Sequence, residues 1–225
     1  MKNENTEQTD IKKEILELLK TLQGIDYVTP DAIPNIDLYM DQVTTFMNEH
    51  LKSSKRHRDD KLLTKTMINN YTKNNLLPPP IKKKYSKEHM LLLIFIYYLK
   101  NFLSINDIQK IIEPLTEKFY KNDDSEISLA EIYNRVVPVE EKNTKPQVKD
   151  IINKLKVSTE AFEDIKNPED KELLTDFMFI CTLSFDIYLK KTLIESIIDN
   201  KLSKYGLEEE VEKPKKEKKE KKDTK

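Results

Sequence analysis

Three consecutive prolines, Pro78-Pro79-Pro80, sit inside the stretch from Leu63 to Ile112, where helix caps, turn residues, basic charge and apolar periodicity interlock. No helix continues through such a run, because each proline removes a backbone donor and its ring clashes with the preceding turn. What comes before it must therefore be short. Thr64 is placed as an N-cap, and Met67, Ile68 and Tyr71 follow at helical spacing, which leaves Lys65, Thr66, Asn69, Asn70 and Lys73 on the outer face. Asn74-Asn75 supplies the left-handed conformation that ends such a helix. After the prolines, Lys82, Lys83 and Lys84 lead to Tyr85, and Ser86 caps a helix whose run Met90 to Leu99 is apolar on nearly every side. A helix of that kind belongs in the middle of a core. Ser104-Ile105-Asn106-Asp107 then opens a further amphipathic helix through Ile108, Ile111 and Ile112.

Several features of this stretch resemble the MerR-like winged helix-turn-helix regulators. Thr66 to Pro78 resembles their recognition helix and turn, with Tyr71 and Leu76-Leu77-Pro78 at the family's spacing. Lys84-Tyr85-Ser86 is similar to the Arg-Tyr-Ser exit from the wing, and Phe102-Leu103-Ser104-Ile105 to a Gly-Phe-Ser-Leu helix start. Extended upstream to Ile33 through Gln42, the pattern resembles more closely an uncharacterised bacterial family, catalogued as a domain of unknown function, for which DNA binding is only inferred. The departures from the regulators are specific. Asn69 stands at their usual arginine, Asn70 at a second aromatic and Asn75 at a turn glycine, while the wing is short and has no glycine. Neither a long heptad coiled coil nor paired cysteines follow, so their effector chemistry does not carry over.

Only two glycines, Gly24 and Gly206, are present in 225 residues, and Leu, Ile, Lys and Glu dominate, so the expected fold class is all-α. With the resemblance, it becomes a MerR-like winged helix-turn-helix followed by a small C-terminal helical lobe. The expected organisation is an N-terminal amphipathic helix and linker over 1–30, the winged domain over 31–120, the lobe over 125–205 and a disordered charged tail over 206–225. The N-terminal helix is read over Asp10 to Leu22, and the first helix of the helix-turn-helix over Ile36 to Leu51. In the lobe, Ser128 caps a helix that Pro138 stops, Pro146 begins a second, and Pro168 opens the longest one, to about Lys204.

Net charge is −1, yet the span Lys52 to His89 holds eleven lysines and arginines against Asp59, Asp60 and Glu88. Segregated charge of this kind is the footprint of phosphate-backbone contact. Catalysis finds no support: there is no Gly-rich phosphate loop and no nucleophile elbow, and His50, His57, His89 and Cys181 lack metal-ligand spacing. The three histidines read as surface or cap residues, and no catalytic residue, metal or cofactor is assigned. A single cysteine and a start without a signal-peptide pattern agree with a cytoplasmic protein. The two most apolar runs, Met90 to Leu99 and Leu173 to Leu189, do not span a bilayer, because one is short and the other carries Asp176 and Asp186.

The expected function is a DNA-binding transcriptional regulator. Lys65, Thr66, Asn69, Asn70 and Lys73 on the recognition helix and Lys82, Lys83, Lys84 and Tyr85 on the wing would contact double-stranded DNA. Asparagine pairs with adenine edges, and lysine holds phosphate. A homodimer through the C-terminal lobe is expected, because Leu173 to Leu189 has two apolar faces. The alternative is a protein-interaction adaptor that turns the same basic face towards an acidic protein.

Overall fold

The computed structural model describes residues 28–57, 59–122 and 124–202, with the backbone alone over 140–145. The expected helix from Asp10 to Leu22 and the tail lie outside the described residues. The chain is mostly helical with one small antiparallel sheet. In order, a 3-10 turn Pro30–Ala32 leads to strand β1, Leu38–Tyr39, and helix α1, Met40–His50. A second 3-10 turn, Lys52–Ser54, precedes α2, Lys65–Lys73, and β2, Lys84–Tyr85. Then come α3, Lys87–Leu99, α4, Ile105–Phe119, α5, Leu129–Glu160, and α6, Pro168–Ile197, which ends in a π-helical turn Ile198–Leu202.

The apolar run becomes α3, and Met90 to Ile94, Ile96 and Tyr97 are all buried. Around it pack Val43, Phe46 and Met47 of α1, Ile68 and Tyr71 of α2, Ile108 and Ile112 of α4, and Leu129 and Tyr133 of α5. The Tyr133 hydroxyl donates to the Val28 carbonyl at 2.6 Å and ties the first described residue to the start of α5. Every buried side-chain nitrogen and oxygen among the described residues has a hydrogen-bond partner.

Two boundaries differ from expectation. Helix α1 starts at Met40 rather than Ile36, because Leu38 and Tyr39 pair with Tyr85 and Lys84 in the sheet. Gln42 Oε1 then accepts the Tyr39 N–H at 2.9 Å and closes the helix start. The second difference is larger: α5 runs through Pro138 and Pro146 as one helix of 32 residues instead of two. An interior proline costs about 3 kcal/mol. Both prolines are exposed, and α5 packs on both α3 and α6. Among the described residues, no helix is long and apolar enough to cross a membrane.

Candidate nucleic-acid interface

Helix α2 is defined at both ends by local chemistry. The Thr64 hydroxyl accepts the Met67 N–H at 3.2 Å, which satisfies one orphan donor of the first turn. At the other end Asn75 takes φ 56°, its N–H reaches the Thr72 carbonyl at 3.3 Å, and the Leu76 N–H reaches Tyr71 at 2.8 Å. This pair of bonds is the Schellman arrangement, and it drops Leu76 and Leu77 into the core. Ile68 and Tyr71 face inward, while Lys65, Thr66, Asn69, Asn70 and Lys73 are exposed. The Asn69 and Asn70 amides make no side-chain hydrogen bond among the described residues. Lys65 forms an ion pair with Asp41 of α1, and both side chains are well exposed, so water screens the pair.

After the prolines the chain folds into a minimal hairpin. The Ile81 N–H donates to the Lys84 carbonyl at 3.1 Å and the Lys84 N–H to Ile81 at 2.9 Å, so Lys82-Lys83 is a two-residue loop. Its φ values are 50° and 63°. Positive φ at both positions is the type I′ turn, which Asn-Gly ordinarily fills. Lysine pays for that conformation with a Cβ clash on the order of 1 kcal/mol per residue. Lys82 and Lys83 are exposed, and the Lys84 ammonium lies 5.2 Å from the centre of the Tyr39 ring across the sheet.

Tyr85 corrects the expected contact set. Strand residues alternate faces, so with Lys84 turned out Tyr85 turns in, where it is 3% exposed with its ring edge on His89. It has no surface to offer DNA.

His89 is the residue that reading the sequence undervalued. It is a cap residue, at the third position of α3, but it is fully buried and not on the surface. Its Nδ1 accepts the Ser86 N–H at 3.0 Å, which leaves the ring proton of the neutral imidazole on Nε2, 3.0 Å from the Tyr120 hydroxyl. The Ser86 hydroxyl donates to Glu88 at 2.6 Å. Burial lowers the His89 pKa below 6.5, opposed by the Pro79 carbonyl. Burial likewise pushes Tyr120 up to about 12. The imidazole thus joins the end of the hairpin, the start of α3 and the end of α4. Ser86-x-x-His89 has capping-box spacing, a signal that was available, but its closing partner lies at position 120.

A second cluster fixes the loop between α1 and α2. The Ser54 hydroxyl meets the Tyr97 hydroxyl of α3, and Lys100 Nζ donates to the Leu62 carbonyl at 2.6 Å. Among the described residues no group of His, Cys, Asp or Glu is placed to hold a metal ion.

No curated protein and no solved structure gives a significant match to the chain. One family model does match: residues 28–136 carry a DUF1836 domain, a domain of unknown function whose span takes in β1 to α4 and the first turns of α5 and leaves α6 outside it.

Proposed function

We propose that the protein is a DNA-binding transcriptional regulator in which α2 and the Lys82-Lys83 hairpin act as recognition helix and wing of a winged helix-turn-helix. The observation that carries this reading is the hairpin tip. Two lysines hold a conformation that asparagine and glycine adopt at lower cost. Strained backbone concentrates at functional positions, and here the strain presents two ammonium groups to solvent beside a sheet that Lys84 also edges. The contact set is Lys65, Thr66, Asn69, Asn70, Lys73, Lys82, Lys83 and Lys84. The lysines bind phosphate, and the two asparagine amides, which make no side-chain hydrogen bond among the described residues, are available to base edges.

The test is duplex binding by fluorescence anisotropy across a salt series. The log of affinity should fall linearly with the log of salt, and changing Lys82, Lys83 and Lys84 together to Ala should reduce the slope by about 0.9 for each phosphate that is no longer neutralised. An unchanged slope removes the hairpin from the interface. Asn69→Ala or Asn70→Ala should cost about 1–3 kcal/mol on a selected site and less on random DNA. The second reading, a protein-interaction adaptor, is favoured by Ile36, Tyr39 and Ile81, which stand exposed beside the same hairpin. Binding of an acidic protein that persists where DNA binding is absent would select it.

We infer further that two copies pair through α6. Leu173, Phe177, Ile180, Ile187 and Tyr188 line one side and are each more than 60% exposed, while Phe185, Leu189 and Leu193 stand exposed on the opposite side. Helix α5 packs on one flank of α6, so among the described residues the apolar positions on the two sides remain open to a second copy. Sedimentation equilibrium at micromolar protein should give twice 26.6 kDa, and Phe177→Glu with Ile180→Glu should return the monomer. A monomer mass for the unaltered chain defeats the pairing.

A further inference from the structure

The loop after α1 closes over the end of α3 and leaves a cleft of about 240 Å³ between them. Lys55 and Lys61 border it from the loop, and Lys100 and Asn101 from the end of α3. At its floor the Lys100 ammonium is held in two directions. It donates to the Leu62 carbonyl at 2.6 Å and lies 4.9 Å from the centre of the Tyr97 ring. The Tyr97 hydroxyl is in turn held by Ser54, so the floor is fixed from both sides.

An ammonium has three N–H donors. The carbonyl takes one and the ring face attracts a second, which leaves one for the cleft. Among the described residues no carboxylate is ion-paired with Lys55, Lys61 or Lys100. Asp60 also borders the cleft, and one of its carboxylate oxygens accepts the His57 N–H at 2.8 Å. Half-buried, Lys100 has its pKa lowered by the loss of water around the charge. A partly desolvated cation with an unused donor, flanked by two more cations, is completed by an anion.

We propose that this cleft binds a phosphoryl group, with Lys100 as the fixed donor at the floor and Lys55 and Lys61 closing on it from the loop. A phosphoryl group suits three separate ammonium groups better than a carboxylate does, because it carries more acceptor oxygens and more charge for lysine to meet as point charges. The cleft is larger than a bare ion needs, so it has room for the group as an ester. Two sources offer that chemistry: a backbone phosphate of DNA, or a small phosphorylated molecule. The cleft adjoins Leu62, two residues before the Thr64 cap of α2, so a strand lying against that helix end passes close to it. The backbone source rests on the DNA reading above; the small-molecule source does not.

The experiment uses the full chain and two arms. In the first, thermal unfolding is followed with sodium phosphate replacing sodium chloride at constant ionic strength. In the second, duplex binding is measured against salt. The variants are Lys100→Met, which keeps the apolar stem, and the double variant Lys55→Ala with Lys61→Ala, which leaves the floor intact. A saturable rise in midpoint of roughly 3 °C that both variants abolish supports the cleft with a small phosphate as ligand. No such rise, but a salt slope reduced by about 0.9 in each variant, supports it with DNA as the source. If Lys100→Met does not fold, the double variant decides alone. If phosphate protection and salt slope are both unaltered, or if the unaltered chain shows neither phosphate protection nor DNA binding, the proposal is overturned. Phosphate protection without DNA binding would sink the regulator reading and leave the cleft standing.

Discussion

Helices α3 and α6 carry the same signal and meet opposite fates. Each is apolar on nearly every side, yet Leu91 to Ile94 of α3 are fully buried, whereas Leu173, Phe177 and Ile180 of α6 are more than 60% exposed. The difference lies in what surrounds them. Helix α3 sits among α1, α2, α4 and α5, all within or beginning within the DUF1836 span, and the core cluster is drawn from these helices and from the strands and loops that join them, such as Leu38, Leu62, Leu63, Leu76 and Leu77. Helix α6 is packed by α5 on one flank and is pinned by its final turn, where Ile198 enters the main core. An all-round apolar helix states that it needs cover, not that its own chain supplies the cover.

The sharpest way to break this contrast is to make one substitution in both helices. Leu92→Ala should lower the free energy of unfolding by about 2–5 kcal/mol, since it removes buried methyl groups and leaves a cavity that the neighbours cannot fill. Leu189→Ala, at a position 52% exposed, should change the monomer by less than about 0.5 kcal/mol. Urea titrations at two protein concentrations measure both. If Leu189→Ala costs more at high concentration, a second copy covers α6. Equal costs in the two helices at every concentration would mean that α6 is as well covered as α3 by its own chain.

What could be read from the sequence follows the same division. Thr64, Ser104 and Ser128 cap their helices as their spacing predicts, because a cap needs only the next three residues. The exposure of Asn69, Asn70 and Lys73 was equally legible, since helical period alone separates them from Ile68 and Tyr71. Distant partners were not legible. Strand β1 forms because Tyr39 pairs with Lys84, a contact no local pattern announces, and the same strand register turns Tyr85 inward. Pro138 reads as a stop by its intrinsic cost, but packing along α5 outweighs that cost. In the candidate site, the lysines were evident from charge, whereas the fixed ammonium of Lys100 depends on Leu62, Tyr97 and Ser54 being folded around it.

A smaller effect should isolate the closed side of the contrast. His89 is neutral in its buried network, and its folded-state pKa lies below the ordinary 6.5, so the unfolded chain takes up a proton first on acidification. Its contribution is therefore fully present above about pH 6.5 and is lost as the pH falls towards the folded value, at no more than about 1.4 kcal/mol per pH unit. Ser86, Glu88, Tyr85, Tyr120, Lys121 and the Pro78 and Pro79 carbonyls surround the ring, and none of them replaces its role as acceptor for the Ser86 N–H. Glutamine at the same helix position also reaches back to a cap N–H but does not titrate. His89→Gln should thus retain a folded protein and flatten the stability profile below about pH 6.5. Matching profiles for the two proteins would place the acid sensitivity elsewhere.

The smallest expected effect falls where the closed region departs from its own best local choice. Replacing Lys82-Lys83 by Asn-Gly relieves two left-handed lysines, and the hairpin hydrogen bonds between Ile81 and Lys84 need no rearrangement. Stability should rise by on the order of 1 kcal/mol, less than the sum of two clashes, because glycine also gives the unfolded chain more freedom to lose. The same variant removes two exposed ammonium groups, so under the DNA reading its salt slope should fall by about 1.8 and its affinity with it. A gain in stability coupled to weaker binding means the turn is held off its optimum by what it binds. A gain with DNA binding intact means that the strain serves nothing on this surface, and the case for the hairpin as a wing then rests on Lys84 alone. No gain at all would show that the turn tolerates lysine without cost, and the observation that carries the regulator reading would fall with it.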